Sequence, residues 1–345
     1  MLGYLEQAKK MGTPLVVGRQ VTFLWQGSEP ARVVGDFNFW KDEAAFEMHP
    51  AGDHLWSLEI ELPEDAYIEY IFHVSGERVY DPLNSRKIDN GLGSYNNYFS
   101  MPGRPAAREV RRRRKGKAGN LTRMDVLADD LLASPDREVT FYAPSVEWAV
   151  PLMVVYDGGD YFRIAKMARI VDNLIADGQI RPIGLAFVEN GRAARTLEYA
   201  CAESTLRFLL SKVIPQAAEH MKLLDINQNP GAFGVTGASM GGLMALFSGL
   251  RLPHVFGHVL AQSGGYTLEG YEYIVWDLAR RVDPRSLKIW MDVGRMEELL
   301  DCNREMHHLL QERGFSIGYH EYAGGHNYTV WRDDLPDGLR FLFGR

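Results

Sequence analysis

Ala232-Phe-Gly-Val-Thr236 runs directly into Gly237-Ala238-Ser239-Met240-Gly241-Gly242, and Leu243-Met-Ala-Leu-Phe247 follows. A short apolar run, a glycine-flanked serine and a second apolar run read as a buried strand, a sharp turn and a buried helix. Gly-x-Ser-x-Gly in that setting is a nucleophile elbow. Such a turn leaves no room for side chains two positions before and two after the serine, and Gly237 and Gly241 meet that need. It pushes the Ser239 hydroxyl out at the carboxyl edge of a sheet and sets the Met240 amide at a helix N-terminus, where an oxyanion would be stabilised.

On both sides of the elbow, buried strands alternate with longer amphipathic stretches, the signature of a mostly parallel sheet with helices on both faces. Strands are predicted at Leu152–Tyr156, Ile183–Val188, Ala232–Thr236, Val255–Ala261, Leu287–Val293 and Ile317–Tyr322. Helices are predicted near 161–178, 199–220, 240–251, 297–313 and 328–343.

Residues from about 18 to 102 differ. His54–Leu62 alternates, with Trp56, Leu58, Ile60 and Leu62 on one face and Leu55, Ser57, Glu59 and Glu61 on the other, as a half-buried strand should. Val21–Trp25, Ala31–Val34, Tyr67–Val74 and Glu77–Tyr80 add further short strands, which fits an antiparallel sandwich. Pro102–Asn120 is polar, basic and nearly free of apolar residues, so it reads as a linker. The expected organisation is an all-β sandwich over 1–103, a basic linker over 104–120 and an α/β domain over 121–345.

Composition agrees with two soluble domains. The 345 residues are 46% hydrophobic and 24% charged, and Gly 34 plus Pro 16 leaves no low-complexity bulk. A net charge of −7 argues against a wide nucleic-acid footprint, and the basic run Arg111–Arg114 with Lys115 and Lys117 has no aromatic residues interleaved. Cys201 and Cys302 fit neither a disulfide framework nor a zinc spacing. The charged N-terminal stretch lacks a secretory apolar core, and no window approaches the roughly 18 apolar residues of a membrane span. A cytoplasmic location, with no nucleic-acid or membrane partner, is the expectation.

A serine hydroxyl needs a histidine to take its proton, and the histidine needs a carboxylate to orient it. Of ten histidines, His49, His54 and His73 belong to the sandwich and His220 precedes the elbow. His254, His258, His307, His308 and His320 fall at or within predicted strands and helices. His326, in Ala323-Gly-Gly-His326-Asn, follows the last strand on a glycine-rich loop and is the expected base. For the acid, Glu297 on the loop past Leu287–Val293 is preferred, with Asp292 and Glu298 as the alternatives. A second oxyanion amide is expected from Asp157-Gly158-Gly159, with Gly159 preferred over Gly158. Arg192 and Arg195 could meet an anionic substrate, the rival reading being a structural salt bridge to Glu198 or a neighbour.

Several segments carry a resemblance, in order: DGGDYF at Asp157–Phe162, RTLEY at Arg195–Tyr199, GASMGG at Gly237–Gly242, SGGY at Ser263–Tyr266, VGRMEELLDCN at Val293–Asn303 and GGHNYTVWRDDLPDGL at Gly324–Leu339. With them the C-terminal part resembles the serine esterase family of enterochelin esterases, S-formylglutathione hydrolases, feruloyl and acetyl-xylan esterases and mycolyltransferases. The resemblance implies an α/β-hydrolase fold, Ser239 as nucleophile, Glu297 as acid, His326 as base, and oxyanion amides at Met240 and Gly159. Many relatives have Asp where this chain has Glu, which leaves the acid open.

Val34-Gly-Asp-Phe-Asn38-Phe-Trp40, the Trp56 strand, Tyr70–Gly76 and Asp81-Pro-Leu-Asn84 resemble the immunoglobulin-like early-set module of glycogen-acting enzymes. Trp25, Trp40 and Trp56 are its candidate sugar platforms, against the plainer reading that they are sandwich core. The module could instead cover an active-site mouth or mediate dimerisation. The expected function is a serine carboxylic-ester hydrolase of the enterochelin esterase kind, with no metal or organic cofactor. Its substrate would be a small-molecule or glycan ester. The alternatives are a feruloyl or acetyl-xylan type carbohydrate esterase, an acyltransferase and a non-enzymatic glycan-binding protein.

Overall fold

Tyr67-Ile-Glu-Tyr-Ile-Phe-His-Val74 forms one strand, as its β-branched and aromatic content predicts, in a computed structural model that describes residues 2–91, 93–105, 107–112 and 119–345. Its first six residues are all buried, so both of its faces are covered. One face, with Ile68, Tyr70 and Phe72, joins Val21, Phe23, Leu58 and Phe99 in the core between two sheets. The first sheet has the order Leu15–Val17, Gln20–Gln26, Leu55–Glu61, His49–Gly52. The second has the order Phe46–Glu47, Arg32–Gly35, Tyr67–Val74, Tyr95–Ser100, Lys87–Asp89, and Glu77–Val79 also pairs with Tyr67–Val74. Pairing is antiparallel in both sheets.

The alternation of Leu55–Glu61 has one exception. Leu55, expected on the outer face, is buried because the helix Leu2–Met11 brings Leu5 onto it beside Ala51. Trp25 and Trp56 pack against the sandwich core and donate their indole N–H groups to the carbonyls of Glu29 (2.9 Å) and Gly27 (3.0 Å).

The chain forms two compact units, and the first is not one continuous stretch. It comprises Met1–Ala106 together with Gly294–Glu298 and Glu321–Val330. The Tyr67 amide donates to the Ala323 carbonyl at 3.0 Å, Met296 donates to the Gly324 carbonyl at 3.0 Å, and Ala323 lies in the sandwich core with Met296 packed on it.

The second unit is built on an eight-stranded sheet of β1 (Asn120–Ala128), β2 (Asp136–Ala143), β3 (Leu152–Val155), β4 (Gly184–Val188), β5 (Phe233–Ala238), β6 (Phe256–Gln262), β7 (Lys288–Gly294) and β8 (Ser316–Tyr322). The strand order is β1-β2-β4-β3-β5-β6-β7-β8. From β4 through β3, β5 and β6 to β7 the pairs are parallel, whereas β1–β2 and β2–β4 are antiparallel. Strands β3, β4 and β5 are buried at every residue, which is what central parallel strands covered on both faces require. This mixed sheet with its helices is the α/β-hydrolase arrangement.

Helices Met240–Arg251 and Tyr328–Phe343 match their predicted bounds. The single helix expected at 161–178 is two, Gly158–Arg163 and Met167–Ala176, broken where Lys166 takes a φ of 55°. The stretch 199–220 is also divided, with a π-helical segment Leu209–Val213 just before Pro215, which has no N–H to donate to the preceding turn. Strands β1 and β2 and the helix Val275–Arg281 were not anticipated. Within the segment 104–120, residues 106 and 113–118, which carry most of the basic run, lie outside the described residues. The carbonyls of Glu109 and Arg111 accept hydrogen bonds from Asn173 Nδ2 at 2.6 and 2.9 Å.

Candidate active site

Strand β5 delivers Ser239 at a φ of 59° and a ψ of −123°, a conformation that L-residues rarely adopt. It is held there from both sides: Ser239 donates its amide to the Gln262 carbonyl at 2.9 Å, and its own carbonyl accepts from Gly265 at 3.2 Å. The close return of the chain explains the glycine before the serine. A Cβ at Gly237 would lie 2.5 Å from the backbone carbon of Gly241. Met240 is the first residue of a twelve-residue helix, so its N–H has no intrahelical acceptor and sits at the positive end of the helix dipole.

Gly158 and Gly159 are buried at the first two positions of the short helix after β3, where amides likewise lack an intrahelical acceptor. The residue before them, Asp157, is buried with a φ of 51°. Its carboxylate accepts Arg195 Nε and Nη2 at 2.7 Å each and Asn190 Nδ2 at 2.8 Å. Asp157 Oδ2 also lies 2.9 Å from where a Cβ at Gly241 would sit, and Arg195 Nη2 reaches the Ala238 carbonyl at 3.4 Å. The pair therefore braces the elbow. The ion partner of Arg195 is thus Asp157 and not Glu198, whose carboxylate is taken by the equally buried Arg137 at 2.7 Å. The Arg192 side chain is exposed, and its backbone N–H donates to Asn190 Oδ1 at 2.9 Å.

In the first unit, Glu297 and His326 meet. Glu297 has a side chain only 2% exposed, its Oε2 contacts His326 Nδ1, and its Oε1 accepts the Gly294 N–H at 2.6 Å. A carboxylate on Nδ1 orients the ring and directs Nε2 to the other role. The two competing carboxylates are occupied elsewhere. Glu298 is exposed and paired with Lys41. Asp292 is buried within β7, accepts Gln262 Nε2 at 2.9 Å and Trp290 Nε1 at 3.2 Å, and is held well above the usual carboxylate range by burial and by Asp334. His320, assigned to the last strand, has a carboxylate of its own in Asp334. Among the described residues no group of three or more His, Cys, Asp or Glu side chains is arranged to hold a metal ion.

Residues 133–342 match the family model described as "Putative esterase". The chain belongs to this esterase family. It is 26% identical to an iron(III) enterobactin esterase of Dickeya dadantii, over 98% of this chain and 92% of that protein. It is 24% identical to an iron(III) salmochelin esterase of Escherichia coli O6:H1, over 99% and 93%. The crystal structure of an enterobactin esterase from Shigella flexneri superposes with a TM-score of 0.75 at 21% identity, covering 94% of this chain and 92% of the other, a likeness of fold. Membership of the family makes this chain a carboxylic ester hydrolase.

The esterase also has polar residues at this site that sequence reasoning passed over. Asp36 is 1% exposed; its Oδ1 accepts Trp40 Nε1 at 2.9 Å, and its Oδ2 accepts the Glu69 N–H at 2.8 Å and Asn327 Nδ2 at 3.4 Å. Burial, reinforced by Glu297 and opposed by the Glu69 and Trp40 donors and by His326, pushes the Asp36 carboxyl up to about 7. Glu69, which accepts Asn96 Nδ2 at 2.7 Å, is pushed up to about 8 by burial and by Asp36. The signal was present in Gly35-Asp36-Phe37-Asn38-Phe39-Trp40, which the sequence reading took only as part of an early-set module.

Proposed function

We propose that this esterase hydrolyses the ester bonds of an iron(III) siderophore through Ser239, His326 and Glu297. The substrate reading is supported by two relatives that match over nearly the whole length of both chains, an enterobactin and a salmochelin esterase. The mechanistic reading rests above all on buried Glu297 engaging His326 Nδ1, which leaves Nε2 to accept a proton.

Ser239 Oγ attacks the ester carbonyl carbon while His326 Nε2 takes its proton, and the Met240 and Gly159 amides donate to the oxyanion. Collapse expels the alcohol, which recovers the proton from Nε2 and leaves an acyl-Ser239. Water, deprotonated by Nε2, then attacks the acyl carbon, and the carboxylic acid leaves as Oγ is reprotonated. The iron stays with the siderophore throughout.

The test is a panel of iron(III) enterobactin, a methyl ferulate ester, acetylated xylan and a short p-nitrophenyl ester, with products followed by chromatography in the presence and absence of an added alcohol. Iron(III) enterobactin should lead the panel in kcat/KM by on the order of 100-fold, as expected when a site is built around one substrate's polar groups. Preference for the ferulate or xylan ester would replace the siderophore reading with a carbohydrate esterase. Dominant transfer to the alcohol would make it an acyltransferase.

A further inference from the structure

The motif Gly35–Trp40 takes no part in the mechanism above, and its geometry does not suit a sugar platform. Trp25 and Trp56 are packed on the sandwich core with their indole N–H groups on backbone carbonyls, and Trp40 Nε1 is turned onto Asp36. The motif is instead a rigid turn that holds one carboxyl group. Asn38 Oδ1 accepts the Gly35 N–H at 2.9 Å, and its Nδ2 donates to the carbonyls of Val33 at 2.9 Å and Ala44 at 3.1 Å. Asp36 projects from this turn, fixed by Trp40 and by the Glu69 amide.

The carboxyl touches both chain neighbours of the base. On one side is Gly325, where a Cβ would fall 2.3 Å from Asp36 Oδ1. On the other, Asn327 Nδ2 donates to Asp36 Oδ2, while Asn327 Oδ1 accepts the Val330 N–H at 3.2 Å and so caps the helix that begins at Tyr328. The same strand that carries Glu69 ties down Ala323 through the Tyr67 amide. His326 therefore leaves the chain between two residues whose places are set by one buried carboxyl.

We propose that Asp36 is a positioning residue for ester hydrolysis: the β domain uses it to fix the loop that carries His326, so that the imidazole stays seated on Glu297. This rests on the esterase reading of Ser239, His326 and Glu297. Burial pushes the Asp36 carboxyl up, so holding it in the fold carries a cost.

The experiment compares wild type, Ser239→Ala, Asp36→Asn, Asn327→Ser and the double variant Asp36→Asn/Asn327→Ser in steady-state hydrolysis of p-nitrophenyl acetate, with thermal melts alongside. Asp36→Asn keeps the volume but turns an amide donor towards donors that need an acceptor; Asn327→Ser keeps a helix cap but cannot reach Asp36. Each single variant should lose about 10- to 100-fold in kcat, the scale of a slightly misplaced catalytic group, with KM within about 2-fold. The double variant should fall no further than the worse single, because both remove one contact. A folded Asp36→Asn or Asn327→Ser with wild-type kcat overturns the proposal, as do fully multiplicative losses in the double. If Asp36→Asn does not fold, Asn327→Ser decides alone. Wild-type turnover no faster than Ser239→Ala would instead overturn the esterase reading, and this inference with it.

Discussion

Ser239 is held in a strained backbone conformation by hydrogen bonds to Gln262 and Gly265, and the motif around it could be read because strain of that kind needs glycine at fixed offsets. His326 could be read for a related reason, its place on a glycine-rich loop after a strand. The carboxylate that meets His326 was harder to single out, since three carboxylates lie within seven residues and sequence does not say where a strand stops. The structure ends β7 at Gly294, whose amide is taken by Glu297 Oε1. Asp157 and Arg195 were opaque as a pair because 38 positions separate them and Asp157 needs a positive φ to face the arginine. At this scale, the proposed role of Glu297 predicts that Glu297→Gln lowers kcat by on the order of 10²- to 10⁴-fold with the fold intact, by analogy with triads that lose their carboxylate. Glu298→Gln, whose native side chain pairs with exposed Lys41, should stay within about 2-fold. Steady-state kinetics of the two variants checks both.

Elements dense in apolar residues between clear turn signals were recovered to the residue, as with Tyr67–Val74 and Met240–Arg251. Those whose patterns are broken were not. β1 shifts register between Met124 and Leu127, which destroys its period of two. In β2 one of the inward positions of Asp136–Ala143 is Arg137, a charge that reads as solvent-facing until its partner Glu198 is known. Both side chains of that pair are 3% exposed, so removing one partner leaves the other buried and uncompensated. Arg137→Met should cost about 3–5 kcal/mol in urea denaturation. A loss below about 1 kcal/mol would mean that Glu198 is neutralised or rehydrated at little cost.

For the whole molecule, the sequence led to a β domain followed by an α/β-hydrolase domain but did not suggest that the first unit would be assembled from three stretches of chain, taking in Gly294–Glu298 and Glu321–Val330. Long-range partners such as the Tyr67 amide and the Ala323 carbonyl leave no local pattern. Among the carboxyls that burial raises in that unit are Asp36 and Glu69. The unfolded chain releases their protons in the ordinary carboxylate range, whereas the folded one keeps them until about 7 and about 8. Through that window the folded state binds more protons, so this pair makes stability fall as pH rises from near 4 to near 8 and adds no further slope above it. Glu69→Gln, which mimics the protonated acid, should flatten the fall in urea midpoint between pH 5 and pH 8; an unchanged slope would show that Glu69 titrates normally. The most direct test of the account as a whole is the rate of iron(III) enterobactin hydrolysis by the wild-type enzyme beside folded Ser239→Ala at matched concentration. The account predicts turnover by the wild type and a fall on the order of 10³-fold or more in the variant; equal rates in the two would contradict it.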